Sequence, residues 1–515
     1  MTYIANPNAV NNFKITGDYR VDALIYNNVS RWNIGSDPGT PVSVNYSFMV
    51  APPSYGGNTS STDSGFYKFT KEQQAALKIV ALEISASSSI QFNLTVDSDN
   101  VPLRFGANDQ KTSAGYAFDP PDISYNQTSK NYMLSGDVWI NNDMDWSQGV
   151  VGIGTEAYVT LLHETLHAIG LKHPGNYNAG DVASPIDSTT NILGKLEDNL
   201  NYSIMSYIDA PEPIAAGLYE GQVTRYNMGI YDLLALNYLY GRGQPNPGNT
   251  IYKIDNSWGS YLRTIDDISG TNTIDLSELT IGAQLNLNQG SFSSVGLYPN
   301  NKPSSNNLSI SFGTLIQNAM GSSGNDVIVN NSLDNTIDGG EGIDYCSFSE
   351  KFNECIIIPN GNTYIIKTKT QGIDALKNIE FLNFSDKSID LSKFITSNSI
   401  INETHALSII IDKNILGSDA VLLKGLVEKM SMSSGVTLTH TVEYAGSAFD
   451  YNAIDSLIIT VTRDNEFTSE FTKEINDYLN SNVNITYSQA LSIVGVANID
   501  KVLIAVAGAD GNYVG

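Results

Sequence analysis

The stretch LLHETLHAIGLKHPG, residues 161–175, decides which fold and which chemistry this sequence can support. In a helix, His163 and His167 project from one face about a turn apart, the separation that suits two ligands of one Zn²⁺ ion. Gly170 predicts the end of that helix, because glycine accepts the positive φ that is common there. The chain can then turn back, so that His173 reaches the same metal.

Three nitrogen ligands leave one position of a tetrahedral zinc ion open, which indicates a catalytic site rather than a closed structural one. Glu164 lies beside the predicted metal and is the candidate general base that takes a proton from a zinc-bound water. The alternative is that these histidines satisfy polar groups of a core, or match the motif by chance. That alternative is weak, because three of the 5 histidines of the chain fall within this one short stretch.

Composition narrows the class of protein. A length of 515 residues predicts about three domains, and a formal charge of −26 disfavours nucleic acid and anionic lipid as partners. That acidity fits either solubility or oxygen ligands for Ca²⁺, and composition does not choose between them.

The first 345 residues contain no cysteine, so neither a disulfide framework nor a thiolate zinc cluster is available there. For Cys346, a buried free thiol is favoured over a bond to Cys355.

The first residues of the chain lack the basic and apolar regions of a secretory signal peptide. Along the whole sequence, no uncharged apolar run is long enough to span a bilayer. The sequence therefore predicts neither Sec-type export nor insertion into a membrane.

Residues 1–245 mix helices with short strands. One predicted helix covers residues 70–85 and opens with a capping box, and a second covers residues 155–169. Between the two helices, residues 114–117 and 137–140 are predicted strands.

Residues 246–400 have the short alternating segments of an all-β domain, such as 283–287 and 308–312. Within them lies a nonapeptide repeat, and each unit predicts a six-residue turn followed by a three-residue strand. The three units are 321–329, 330–338 and 339–347.

Residues 401–515 differ in composition and predict a separate small α+β unit without a catalytic motif. Amphipathic stretches lie at 421–430 and 466–479, and strand-like runs lie at 456–461 and 502–506.

A methionine turn follows the histidine motif. HExxHxxGxxH with such a turn is the metzincin pattern, and SIMSY at residues 203–207 resembles the serralysin branch of that superfamily. Over roughly residues 15–395, further segments resemble serralysins in serralysin order. They are GDYRVDALI (17–25), RWN (31–33), FTKEQQAAL (69–77), AGYAFDP (114–120), GDVWINN (136–142), YDLLALNYLYG (231–241), LNLNQGSFSSVG (285–296) and GIDALKNIEFLNFSD (372–386).

The resemblance implies a multidomain α+β fold. A metzincin zinc-protease domain (1–245) would be followed by a calcium-binding parallel β-roll or β-sandwich domain (246–400). A small α+β C-terminal domain (401–515) would serve secretion or an accessory role.

The resemblance also implies roles within the site. Met205 would be an apolar base beneath the zinc, and Tyr207 would be a fifth, displaceable zinc ligand that can hydrogen-bond the developing oxyanion. Substrate would lie extended along an edge strand. The residues that match this strand are Ala114, Gly115, Tyr116 and Ala117.

The resulting hypothesis is a secreted, extracellular endopeptidase with one catalytic Zn²⁺, in which Glu164 assists the attack of a zinc-bound water on the peptide bond of a protein. Serralysins imply export by a type I ABC exporter with an uncleaved C-terminal signal, which agrees with the missing N-terminal signal peptide. We expect a monomer, with protein or peptide substrates and a proteinaceous protease inhibitor as a further candidate partner.

Calcium is expected in the repeats, with one or a few structural Ca²⁺ ions because the roll is short. The expected carboxylate ligands are Asp326 and Asp344. Carbonyl oxygens of glycines would complete the shell, at Gly321, Gly324, Gly339, Gly340 and Gly342.

Other calcium positions of the family look weakened in this sequence. Asn272 and Gln317 stand where the family usually has Asp and Glu, which removes negative charge. Asp267 and Asn272 are equally well explained as plain turn residues.

A second hypothesis is a secreted, adhesin-like surface protein whose protease serves only its own maturation. Turnover of casein that 1,10-phenanthroline blocks favours the endopeptidase, whereas cleavage confined to the chain itself favours the adhesin.

Overall fold

The computed structural model describes two compact units. One comprises the chain up to Asn331 together with Gly340–Gly342, and the other comprises Ser332–Gly339 and the chain from Ile343 onward. The described residues are 16–26, 29–56, 63–121, 133–146, 152–175, 192–360, 362–391, 405–412, 436–444, 454–463 and 501–506. The protein mixes helices with several sheets, as predicted. The three domain boundaries stay predictions.

The first unit contains the α-helices whose bounds the structure describes. They are α1 (Tyr19–Asp22), α2 (Lys71–Ser87), α3 (Glu156–Ala168), α4 (Pro211–Ala215) and α5 (Ile230–Tyr240), with a 3-10 helix at Asn256–Ser260. Thr70 caps α2, and its side chain and that of Gln73 each accept a hydrogen bond from the other's main-chain N–H. This is the capping box that the sequence predicts.

A mixed sheet lies in the same unit. Its strands are β1 (Val42–Phe48), β2 (Ser64–Tyr67), β3 (Ile90–Leu94), β4 (Leu103–Asp109), β5 (Gly115–Ala117) and β6 (Asp137–Asn141). They run in the order β3-β1-β4-β6-β5, with β2 beside β4. β5 is antiparallel to β6 and is the last strand on that side of the sheet among the described residues.

The core of this unit lies between the sheet and the helices. On α2, Leu77, Val80 and Ile84 are fully buried, and on α3 Leu161 and Leu166 are fully buried in the same cluster. Helix α3 contacts α2, β5 and β6. One face of α3 is therefore fixed by the core while another borders the edge strand.

The rest of the first unit is β structure. Its strands are β7 (Thr224–Arg225), β8 (Ile251–Asp255), β9 (Tyr261–Ile265), β10 (Thr273–Glu278), β11 (Gln284–Asn286), β12 (Phe292–Ser293), β13 (Leu308–Ile310), β14 (Asn318–Met320) and β15 (Val327–Val329). β10 pairs in parallel with β8 and β14, and β11 pairs in parallel with β15. The predicted strands near residues 283–287 and 308–312 are present as β11 and β13.

The second unit is also built of strands. They are β16 (Thr336–Asp338), β17 (Tyr345–Ser347), β18 (Ile356–Asn360), β19 (Thr363–Lys367), β20 (Ile373–Lys377), β21 (Phe381–Asn383) and β22 (Ser388–Asp390), with a 3-10 helix at Phe352–Glu354. β16 pairs in parallel with β20, and β17 with β21. Because β15, β16 and β17 begin nine residues apart, the three-residue strands fall where the nonapeptide repeat predicts them.

Four strands of the last region form a sheet, in which β23 (His405–Asp412) lies between β25 (Ile454–Arg463) and β26 (Lys501–Val506), and β24 (Val436–Tyr444) lies on the other side of β25. The strand-like runs at 456–461 and 502–506 lie within β25 and β26. The amphipathic stretches at 421–430 and 466–479 lie outside the described residues.

Candidate metal centre

Helix α3 is held at both ends by side chains. At its start, the Thr155 hydroxyl accepts a hydrogen bond from the main-chain N–H of Tyr158. At its end, Trp32 Nε1 donates to the carbonyl of Ala168 at 2.8 Å, and Tyr240 donates its hydroxyl to Ile169 just beyond the helix at 2.6 Å. These bonds satisfy terminal groups that a helix leaves unpaired, so the helix end is fixed.

The chain turns sharply at Gly170. Its φ is +107°, and a Cβ atom there would lie 2.4 Å from the main-chain oxygen of Ser30. Leu171 N–H then bonds to the carbonyl of Leu166, and Lys172 N–H to that of Leu24. Only glycine fits this turn, as the sequence predicts, and the turn returns the chain toward the helix.

The three histidines of the motif converge. His173 Nε2 lies 3.1 Å from His163 Nε2 and 2.9 Å from His167 Nε2. A tetrahedral zinc ion with bonds of about 2.0–2.1 Å would hold its nitrogen ligands roughly 3.3 Å apart. Among the described residues, these three histidines form a group of potential ligand atoms compact enough for one metal ion.

The outer ring nitrogens of two histidines are fixed by main-chain carbonyls. His163 Nδ1 lies 2.9 Å from Ile204 O, and His167 Nδ1 lies 2.8 Å from Leu171 O. A carbonyl only accepts, so both Nδ1 atoms donate, and in the neutral ring each Nε2 is left with a lone pair. Lone pairs that face one another repel, whereas a cation between them would be bound; the donor set therefore fits Zn²⁺.

Burial also favours the neutral form of these rings. It lowers the pKa of His163 to about 4. Burial lowers the pKa of His167 well below its usual value, and the neighbouring His163 and His173 lower it further. Metal binding needs neutral imidazole, so both rings have the required protonation state at neutral pH.

Glu164 is buried on α3 beside the edge strand. A Cβ atom at Gly115 would lie 2.8 Å from Glu164 Cγ, so glycine lets β5 approach the helix at this point. Burial raises the pKa of the Glu164 carboxyl to about 8. A cation at the histidines would favour the ionised form, and the group could then accept a proton.

Tyr207 lies at the cluster, and Met205 lies in the core. The ring centroid of Tyr207 is 4.4 Å from that of His173 and 5.7 Å from that of His163. About half of Tyr207 (48%) is exposed, so the ring has room to move. Burial raises its pKa above the usual value, so the phenol is a hydrogen-bond donor at neutral pH. Met205 is completely buried.

The remaining residues of the predicted substrate strand lie along β5. Tyr116 pairs with Trp139, and Ala117 with Val138, in the register of β6. The Tyr116 hydroxyl accepts a hydrogen bond from Asn108 at 3.0 Å. Ala114 directly precedes the strand, and its carbonyl accepts from the N–H of Asn141.

The calcium candidates of the first unit lie in turns. Asp326 is buried, and its carboxylate accepts hydrogen bonds from the main-chain N–H groups of Ala283 and Ser322, each at 2.7 Å. Cβ atoms at Gly340 and Gly342 would lie 2.2 Å from Ser322 O and 2.5 Å from Gly324 O, so these turns pack closely. Gly321, at the start of the same turn, is buried.

In the second unit, Asp344 is buried, and its N–H donates to the Glu380 carboxylate at 2.7 Å. A Cβ atom at Gly339 would clash with the carbonyl of Asn378, so only glycine fits there. Calcium binding by these residues stays a prediction. Cys346 and Cys355, in the same unit, are free thiols.

The side chains that were predicted to be either weakened calcium positions or plain turn residues form hydrogen bonds within the protein. Asn272 Nδ2 donates to Leu315 O, and its Oδ1 accepts from Thr250 N–H. Asp267 Oδ2 accepts from the Tyr252 hydroxyl at 2.7 Å. The Gln317 side-chain oxygen accepts from Asn272 N–H at 2.7 Å.

Sequence reasoning did not single out the buried Asp232 next to the centre, or its contact with Ser203 of the methionine turn. Ser203 and Asp232 hydrogen-bond each other at 2.5 Å, and the Asp232 carboxylate also accepts from Ile204 N–H at 2.8 Å. Asp232 lies in the segment 231–241, which resembles serralysins, but nothing in its local pattern links it to a turn some 28 residues earlier. Only the tertiary structure shows the contact.

Comparisons with known proteins agree on one family. A family model described as Peptidase M10 serralysin C terminal matches residues 236–422. A serralysin of Photorhabdus laumondii is 30% identical over 337 residues, which is 63% of this chain and 64% of the relative. Serralysin C of Dickeya chrysanthemi is 31% identical over 316 residues, 59% of this chain and 61% of the relative. The chain thus spans a little under two thirds of the length of these curated relatives.

Proposed function

This chain is a serralysin-type protein, and from that premise we propose that it is a zinc-dependent endopeptidase that hydrolyses peptide bonds in proteins. The observation that carries the proposal is the convergence of His163, His167 and His173 on one point, with the buried carboxylate of Glu164 on the same helix. Three nitrogen ligands of this kind, with a position left open, are typical of catalytic rather than structural zinc.

Zinc, when bound by the three histidines, would polarise the scissile carbonyl and make a water molecule more acidic. Glu164 is the proposed general base that takes the proton from the attacking water and then gives it to the leaving amine. Its burial supports this role, because a carboxyl group with a raised pKa is suited to both accepting and returning a proton near neutral pH.

Tyr207 is the proposed stabiliser of the developing oxyanion. The ring stands beside His173, keeps its proton at neutral pH and is half exposed, so its hydroxyl can turn toward a bound substrate. The proposed role of Met205 is an apolar base for the histidine cluster.

The substrate is proposed to bind as an extended strand along β5. The edge position of this strand and its close approach to Glu164 at Gly115 support that placement. Main-chain hydrogen bonds would give affinity, and side-chain pockets would give preference.

Secretion and calcium binding are part of the proposal and rest on the resemblance to serralysins. We expect an extracellular protein exported by a type I ABC exporter, and one or a few Ca²⁺ ions in the repeat turns. No helix among the described residues is long and apolar enough to cross a membrane. Isothermal titration with Ca²⁺ after chelation tests the calcium expectation, and the absence of any binding heat would contradict it.

The decisive activity test uses azocasein with Glu164→Gln and its matched control Glu156→Gln, a change at an exposed position in the first turn of the same helix. We expect activity that 1,10-phenanthroline abolishes and zinc restores. The rate should fall by at least about 10²-fold in Glu164→Gln, with unchanged zinc content, and stay near wild type in Glu156→Gln. Full activity of a zinc-loaded Glu164→Gln variant would refute the assigned base.

A further inference from the structure

A carboxylate in the core lies behind the metal centre. Asp232 is the third residue of α5 and is completely buried. It accepts three hydrogen bonds, from the Ser203 hydroxyl at 2.5 Å, the Ile204 N–H at 2.8 Å and the Gly229 N–H at 2.6 Å. Two of these donors belong to the methionine turn, so the carboxylate joins that turn to the start of α5.

A buried guanidinium holds the segment just before the turn. Arg225 donates to the carbonyls of Leu200 at 2.7 Å and Asn201 at 3.1 Å. It also donates to the carbonyls of Asn227 and Met228, ahead of α5. Carbonyl groups before the turn thus accept from a buried guanidinium, while the Ser203 hydroxyl and the Ile204 N–H of the turn donate to a buried carboxyl group, and these bonds hold the segment in one position.

One residue of the turn, Ile204, links Asp232 to a predicted metal ligand by hydrogen bonds. Ile204 donates its N–H to Asp232 and accepts at its carbonyl from His163 Nδ1 at 2.9 Å. A shift of the Ile204 peptide would change the orientation of the His163 ring and the direction of its Nε2 lone pair. Groups that hydrogen-bond the outer nitrogen of a ligating histidine typically affect metal affinity by about 10–100-fold.

We propose that Asp232 is a positioning residue for the metal centre. It acts through Ile204, whose carbonyl holds His163 in the orientation that binds zinc. The proposal rests on the zinc site put forward above as the proposed function. Arg225 hydrogen-bonds Leu200 and Asn201, just before the methionine turn. The residues on that side of Ile204 are therefore also held in place.

The test is the full-length Asp232→Asn variant. Asparagine has the same shape but no charge, and its NH₂ group cannot accept. It would face either the N–H groups of Ile204 and Gly229, which share Oδ2, or the Ser203 hydroxyl, which would then have to accept instead of donate. We expect zinc affinity, measured by competition with a chromophoric chelator, to fall about 10–100-fold. The visible absorption of the cobalt-substituted variant should shift, and kcat on a peptide substrate should fall more than KM rises.

The matched control is Leu236→Ala, a cavity made one turn farther along α5 at a fully buried position. It should lower thermal stability while zinc affinity and the cobalt spectrum stay at wild-type values. If Asp232→Asn does not fold, Ser203→Ala decides. It removes one of the three bonds to Asp232, together with the bond from Met205 N–H to the Ser203 hydroxyl, and should weaken zinc binding by a smaller but measurable factor.

The outcomes separate this inference from the proposed function. A wild-type chain that binds no zinc would refute the proposed function. A wild-type chain that binds zinc, together with an Asp232→Asn variant of unchanged zinc affinity and cobalt spectrum, would overturn only the role of Asp232. In the fallback, wild-type zinc affinity in Ser203→Ala would overturn that role too.

Discussion

Individual atoms set the chemistry of the centre. His163 and His167 each donate from Nδ1 to a carbonyl, so their Nε2 atoms face the same point as acceptors. The four-residue spacing and the glycine turn allowed this convergence to be predicted from the sequence, because both follow from helix geometry. The carbonyl partners Ile204 and Leu171 could not be predicted, since a main-chain acceptor leaves no trace in residue identity.

Tyr207→Phe tests the proposed oxyanion donor. The ring would keep its place beside His173, but the hydroxyl would be lost. On a defined fluorogenic peptide we expect kcat to fall roughly 10²-fold with KM within about twofold, because the lost bond forms mainly in the transition state. Zinc content should be unchanged. An unaltered kcat would exclude Tyr207 from the reaction.

At the scale of elements, the most reliable predictions concerned α2 and α3. Their capping residues, apolar spacing and the closing Gly170 are local signals, and both helices begin and end within two residues of the predicted positions. The three-residue strands of the repeats were predicted by their period. The burial of Asp232 against the methionine turn depends on how α5 packs, which no local pattern encodes.

Gly170→Ala tests whether the turn after α3 must be glycine. The change imposes a strained φ and brings a Cβ atom against Ser30 O. We expect a loss of on the order of 2–4 kcal/mol in the free energy of unfolding, with weaker zinc binding because the turn carries His173.

The control for this change is Gly248→Ala, where φ is +100° and nothing lies within 4 Å of the added Cβ. Strain alone should cost about 1 kcal/mol there and leave zinc binding unchanged. Urea unfolding and zinc content measure both effects. Equal losses in the two variants would show that the contact with Ser30 does not matter.

For the whole molecule, length predicted about three domains, residue patterns predicted a mix of helices and strands, and the repeat predicted short strands separated by turns. The division into two compact units follows from strand pairing between distant residues, which composition does not reveal.

The first unit also buries several carboxyl groups. Burial raises the pKa of Asp137 to about 8, of Glu83 to about 7 and of Asp119 to about 6.

These carboxyl groups predict how global stability varies with pH. Their ordinary pKa is about 4, so between pH of about 4 and 8 the folded state holds protons that the unfolded chain has released. The stability they contribute is complete below pH 4 and is lost as pH rises through the folded values. Asp137→Asn should make the fall between pH 5 and 7 shallower, by up to about 1.4 kcal/mol per pH unit.

Urea unfolding at several pH values measures this slope, with the exposed Asp37→Asn as control. The control should keep the wild-type slope. An Asp137→Asn variant with the wild-type slope would show that Asp137 is ionised in the folded state at these pH values.

The central claim is that three imidazoles hold one zinc ion, and elemental analysis of the purified chain tests it most directly. Inductively coupled plasma mass spectrometry should find about one zinc per chain after gel filtration, and His167→Ala should lose it while remaining folded by circular dichroism. A wild-type chain without zinc after incubation with the metal, or a variant that retains the full amount, would contradict the account.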